Sequence, residues 1–214
     1  EDESPVSVAD LESNELICNE LTKLYPDIPI ISEENRNQPI DHEIFWLIDP
    51  LDGTKSFLNG QGEFTVNIGL VKNKKPIAGI VYAPLCGDLY YVNSDNIPYK
   101  ESNGIIKTRI VPEKGMTVLV SAFSTNYDKL HDYLSDTKID KIIPSSSAIK
   151  ICRIAEGKAD LYPRFGRTME WDTAAGHAIL NAAGGTIKDL DSNELSYGHI
   201  ERKYSNPDFI ASGN

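Results

Sequence analysis

The sequence predicts a mixed α/β layered sandwich, and two observations carry that expectation. The first half holds three consecutive apolar runs joined by short turns, the pattern of an antiparallel meander. The second half alternates strand-like and helix-like segments. No internal repeat or low-complexity tract interrupts either half. The chain therefore reads as a single domain over 1–214 with two lobes, the meander in about 1–110 and the alternating half in about 111–214.

The elements follow in order. Apolar Leu11, Leu16, Ile17, Leu21 and Leu24 recur near the helical period over 8–24, and Pro26 stops that helix. "IPIIS" (28–32) is a short strand running into Glu33 and Glu34, and a polar loop, 35–43, leads to the apolar run 44–48, which stops at Asp49. "FTVNIGLV" (64–71), with Thr65, Asn67 and Gly69 alternating against apolar partners, "IAGIVYAP" (77–84) and "LYYV" (89–92) form the meander around a basic turn at 72–75. The Asn-, Ser- and Pro-rich stretch 93–104 reads as an exposed loop. Then come a strand at 117–123, a helix at 127–136, a strand at 140–145, a helix at 147–157 stopped by Gly157, and a strand at 159–164. A small-residue helix, "WDTAAGHAILNAAGG", closes on Gly184 and Gly185, and strands at 186–190 and 208–213 finish the chain.

Composition excludes several classes of function. The formal net charge of −11 repels nucleic-acid polymers and anionic membranes, though a bound cation can reverse the field locally for a small anion. No apolar run approaches the roughly 20 residues a bilayer span needs, so no integral membrane contact is expected. Cys18, Cys86 and Cys152 form no C-x-x-C pair and read as reduced thiols of a cytoplasmic protein. The four histidines include no H-E-x-x-H, which argues against a zinc hydrolase.

The stretch "WLIDPLDGTKSF" (46–57) carries the chemistry. Its apolar run ends in Asp49, Pro50 fixes a turn, and Asp52 stands where it would cap a helix. Gly53 admits a close ligand, and the amides of Gly53, Thr54 and Lys55 would open a helix N-terminus suited to an anion. Two acids facing a nest of amides suit anion binding only if hard cations such as Mg²⁺ sit between them. An Asx-type turn with a helix cap is the plain alternative. An EF-hand is a poor one, because its alternating acids are missing. Glu33 and Glu34, ending a strand, and Asp172, opening the "WDTAAGHA" helix, are each weak signals. Together with Asp49 and Asp52 they offer enough carboxylates at element ends for two or three magnesium ions.

The order E-E, D-P-x-D-G-T, W-D-x-A-A-G resembles the magnesium-dependent, lithium-sensitive phosphomonoesterases related to inositol monophosphatase, over nearly the whole chain. That resemblance implies an αβαβα sandwich. It makes Glu33, Asp49, the Leu51 carbonyl, Asp52 and Asp172 metal ligands, with Asp49 bridging two ions. It makes Thr54 and Asp10 the pair that aligns the attacking water; Asp10 lies in "SPVSVAD", where Ser7 replaces the usual Thr. "SAIKICRIAEG", "LYPRFG" and "WDTAAGHA" look like the CysQ-type 3'(2'),5'-bisphosphate nucleotidases. These release the 3'-phosphate of adenosine 3',5'-bisphosphate and belong to sulfur metabolism. By that likeness Ser147, Lys150 and Arg164 contact the nucleotide, alongside Glu33, Leu51, Asp52, Gly53, Thr54 and Asp172. A second phosphate needs a cation away from the metals, and Arg binds one bidentately; the plain alternative for Lys150 and Arg164 is surface charge. Arg167 departs from the likeness and receives no role, and Glu170 is a candidate for the pocket wall.

Members of the family carry a further N-terminal helix. It is missing from a chain that starts at Glu1, and trimming there is the favoured reading. The same chemistry on an inositol phosphate or a sugar bisphosphate is the nearest rival, and a non-catalytic nucleotide or metal sensor is the rival from another class. The partner is a small molecule, a nucleoside bisphosphate; the sequence leaves monomer and dimer open. Some bacterial relatives lie peripherally on the inner membrane, yet no basic or amphipathic anchor stands here.

Overall fold

The computed structural model describes residues 7–35, 42–60, 63–122 and 126–213. Helix α1 (Val8–Leu24) starts at Ser7, whose backbone N–H donates to Asp10 Oδ2 at 2.8 Å while the Asp10 N–H donates to Ser7 Oγ at 3.4 Å. This reciprocal pair satisfies two N-terminal amides. The predicted helix forms, but the face it buries is not the apolar stripe. Leu11, Leu16 and Leu24 are 53%, 65% and 67% exposed, and Asp10 is the buried residue.

Strand β1 (Ile30–Ser32) turns through a short 3-10 helix (Glu33–Asn35) and pairs in parallel with β2 (Ile44–Asp52). Most of the loop expected at 35–43 lies outside the described residues. Strand β2 does not stop at Asp49. It runs to Asp52, and its ladder to β3 (Thr65–Lys72) slips between Asp49 and Asp52, where Pro50 has no N–H to give. Helix α2 (Thr54–Leu58) follows, capped by Gly53 at φ +96°. Asp52, expected as that cap, instead ends the strand and accepts from the Ala148 N–H at 2.6 Å.

A two-residue turn at Asn73 and Lys74, with φ of 50° and 63°, joins β3 to β4 (Lys75–Ala83). Strand β5 (Asp88–Val92) completes the meander. The stretch expected as an exposed loop, 93–104, instead contributes β6 (Pro98–Lys100) and the start of β7 (Gly104–Ile105) to the same sheet. Its turn residues are genuine; between them, Tyr99 stacks on Tyr91 across the ladder with ring centroids 5.6 Å apart.

The second half supplies β8 (Met116–Ser121), α3 (Tyr127–Leu134), β9 (Ile139–Ser145), α4 (Ile149–Ala155), β10 (Leu161–Arg164), α5 (Glu170–Ala182), β11 (Thr186–Asp189) and β12 (Phe209–Ser212). Its sheet runs β11-β12-β10-β8-β9, with β8 parallel to both β9 and β10 and β12 antiparallel to its neighbours. Helix α1 covers part of the first sheet, α4 and α5 lie between the sheets, and Leu130 and Leu134 of α3 pack on Val118 and Leu161 of the second. One core runs from Ile31, Phe45 and Leu47 through Trp171 to Phe209.

Strand β3 inverts the usual reading of its alternation, which would bury the apolar set. Thr65, Asn67, Gly69 and Val71 face inward, and Val66, Ile68 and Leu70 are half-buried on the outer side. The reason is α5, which lies against the sheet so closely that a Cβ on Gly79 would sit 2.2 Å from the Ala175 carbonyl oxygen, and one on Gly69 3.0 Å from Ala174.

Candidate active site

The bulge of β2, the start of α2, the Ser145–Ala148 turn, the end of β10 and the start of α5 enclose a cavity of about 380 Å³. Every residue proposed above for metal or substrate lines it: Glu33, Asp49, Leu51, Asp52, Gly53, Thr54, Ser147, Lys150, Arg164 and Asp172. Asp10 stands behind that wall at 2% exposure, and the Thr54 hydroxyl donates to Asp10 Oδ1 at 3.3 Å and to the Leu51 carbonyl at 3.2 Å. Asp10 also accepts from the Ser7 hydroxyl. Glu170 is not part of the cavity: fully buried, it accepts from the N–H groups of Gly198 and His199. Arg167, given no role from sequence, does line the cavity, and the Arg164 guanidinium donates to its carbonyl at 2.9 Å.

The acids crowd one another. Burial pushes the Asp49 carboxyl well above the ordinary range, the charges of Asp52, Glu33 and Asp172 push it further, and the Leu51 N–H, donating at 3.0 Å, opposes them. Asp172, third residue of α5, is raised by burial first and by Asp52 next, against the Met169 N–H at 2.8 Å. Burial raises Asp52 too, opposed by Lys150, the Ala148 N–H and Arg164.

Lys150 is not a surface charge. It is 3% exposed, donates to the Ser147 carbonyl at 2.6 Å and lies 4.9 Å over the Tyr162 ring. Burial pushes its ammonium down to about 8, against the pull of Asp52. Ser147 sits at φ +53°, and among the described residues its buried hydroxyl has no hydrogen-bond partner; nor does Arg164 Nε. Orphaned polar atoms on a cavity wall are places where a polar ligand recovers lost hydrogen bonds.

Cation chemistry fits this donor set. Four carboxylates and a backbone carbonyl are hard oxygens, and among the described residues no thiol or imidazole lines the cavity. Among the described residues no three Asp, Glu, His or Cys side chains converge as a ready-made ion cage. The fit therefore rests on donor type and on mutual repulsion, which a shared cation relieves.

Other residues at or beside the cavity escaped the sequence. Asn67 and Thr65 of β3 oppose Asp49 and Asp52 in register, and an alternating strand gives no sign of which face is inside. Lys55, Ser146 and Thr168 also reach the cavity from turns whose approach is a long-range event.

Residues 1–213 match the model of the inositol monophosphatase family. A 3'(2'),5'-bisphosphate nucleotidase CysQ of Salmonella typhimurium is 41% identical over 215 residues, covering 98% of this chain and 85% of that protein. The nucleotidase of the same name from Buchnera aphidicola is 42% identical over 99% of this chain and 81% of its own length. The crystal structure of CysQ from Bacteroides thetaiotaomicron superposes with a TM-score of 0.83 at 34% identity, covering 99% of this chain and 86% of that one. A Thermotoga maritima inositol monophosphatase, at 24% identity and a TM-score of 0.80 over 98% of this chain and 79% of that one, shares the fold.

Proposed function

The chain belongs to the inositol monophosphatase family, one of metal-dependent phosphatases, and we propose that it hydrolyses the 3'-phosphate of adenosine 3',5'-bisphosphate to give AMP and phosphate. One observation carries this reading. Four acids and two buried or half-buried cations, Lys150 and Arg164, line one cavity, so a substrate with one phosphate at the acids and another at the cations fits it. A substrate with a single phosphate leaves the cationic wall unused.

Glu33, Asp49, the Leu51 carbonyl, Asp52 and Asp172 would hold two or three Mg²⁺ ions. Bound there, the ions supply charge stabilisation on the phosphoryl oxygens and an acidified water at neutral pH. The chain's own groups do the aligning. The single Thr54 hydroxyl proton has Asp10 Oδ1 and the Leu51 carbonyl within reach, and donated to either it leaves the Thr54 lone pairs to accept from the attacking water and fix its approach. Water adds at phosphorus, and the bond to the ribose 3'-oxygen breaks. Lys150 and Arg164 bind the 5'-phosphate, Arg164 through its planar fork. The Ser147 hydroxyl takes a sugar or phosphate oxygen.

Phosphate release from adenosine 3',5'-bisphosphate and from inositol 1-phosphate, each with and without Mg²⁺, tests this. Magnesium-dependent turnover favouring the nucleotide is expected. Preference for inositol phosphate would keep the metal site and remove the role given to Lys150 and Arg164.

A further inference from the structure

Two side chains opposite the acids on the β2–β3 ladder are polar and buried. Thr65 and Asn67 are each 0% exposed, and among the described residues neither the Thr65 hydroxyl nor either end of the Asn67 amide finds a hydrogen-bond partner. Buried polar atoms in folded chains are nearly always paired, so an exception asks for an explanation. Its position supplies one. Residues i and i+2 of a strand share a face, and on β3 that face meets β2 with Asn67 opposite Asp49 and Thr65 opposite Asp52. The β2 irregularity lies between those two acids, so each keeps its own polar neighbour across the slip. The two buried residues that follow on the same face, Gly69 and Val71, carry no side-chain polar atom. The unsatisfied groups of β3 are therefore confined to the end facing the acids.

We propose that Asn67 and Thr65 are positioning residues, whose amide and hydroxyl, unbonded among the described residues, turn to donate to the rear lone pairs of Asp49 and Asp52 when a cation holds the front ones, and so keep both carboxylates aimed into the cavity. The inference rests on the metal reading given above. A carboxylate that ligates a cation with one oxygen direction needs a donor on the other to fix its plane, and such outer partners typically change metal affinity about 10–100-fold. A purely apolar pair at these positions would pack as well and donate nothing.

The test measures Mg²⁺ affinity by titration calorimetry and thermal unfolding in EDTA for the parent, Asn67→Leu and Thr65→Val. Magnesium binding weaker by about tenfold or more, with an unfolding midpoint in EDTA equal to or above the parent's, is the expected result. Affinity within twofold of the parent in both variants overturns the proposal, and so does a lowered EDTA midpoint with unchanged affinity, which would mark a packing role. Thr65→Val keeps its shape and carries the test alone if Asn67→Leu does not fold. A parent that binds no Mg²⁺ overturns the metal reading itself and this inference with it, a result distinct from tight parental binding with indifferent variants.

Discussion

Asp49 is 1% exposed and shares its surroundings with three other acids, an arrangement that folding alone would not favour. Removing its charge should relieve that repulsion while removing the cation ligand. Asp49→Asn, which keeps an acceptor for the Leu51 N–H, is expected to cut kcat more than about a hundredfold and to raise or preserve the unfolding midpoint in EDTA. Turnover near the parent's would sink the ligand role. Among the cations of the cavity, Lys150→Ala and Arg164→Ala should each raise KM for the bisphosphate by about ten- to a hundredfold, the worth of a charge-assisted hydrogen bond. KM for a monophosphate should barely move, and an unchanged bisphosphate KM in both variants would remove the second-phosphate argument. At this scale the sequence was informative about acids, because carboxylates at strand and helix ends are visible as motifs. It was silent about Asn67 and left the place of Glu170 open, because burial and register belong to residues distant in sequence.

At the scale of elements, α5 is the piece that joins scaffold to chemistry. Its small face lets Ala174 and Ala175 reach the glycines of β3 and β4, and that approach brings Asp172 to the bulge of β2. Gly79→Ala places a Cβ 2.2 Å from a backbone oxygen that cannot move without the helix. The variant should lose about 3 kcal/mol, the upper range of overpacking, measured by urea unfolding, and should bind Mg²⁺ more weakly because Asp172 is displaced. Wild-type stability in that variant would mean the helix slides freely. The "WDTAAGHA" run announced a helix that packs closely, but its partner glycines lie about a hundred residues upstream. The same limit applies to β6 and β7, hidden in a turn-rich stretch whose pairing depends on β5.

For the whole molecule, two buried groups outside the cavity lining set opposite pH dependences of stability. Burial holds His177 neutral, with its pKa pushed down to about 4, and its Nδ1 meets the Tyr197 hydroxyl at 2.8 Å. The unfolded chain takes up that proton below pH about 6.5. The His177 contribution is thus fully present above pH 6.5 and lost as pH falls towards 4, by at most about 3 kcal/mol. Glu170 runs the other way. Burial raises it to about 7, so its contribution is present below pH about 4.5 and lost as pH rises to 7. Relative to the parent, His177→Gln should gain stability on acidification from pH 6.5 to 4.5, and Glu170→Gln should lose it. Urea unfolding across that range reads both slopes, and parallel curves for all three proteins would show that neither group titrates between the folded and unfolded states.

The sequence by itself determined most of the elements, though not β6 and β7, together with where carboxylates stand along the chain and the family those motifs mark, because these depend on neighbours within a few residues. The tertiary structure decided the rest. It turned the polar face of β3 inward, buried Lys150 against Tyr162, set Asp10 behind Thr54 and kept Glu170 out of the cavity. Each of these is the meeting of segments far apart in the chain, and what selects among such meetings is how closely two backbones can approach and which polar atoms are left to satisfy when they do.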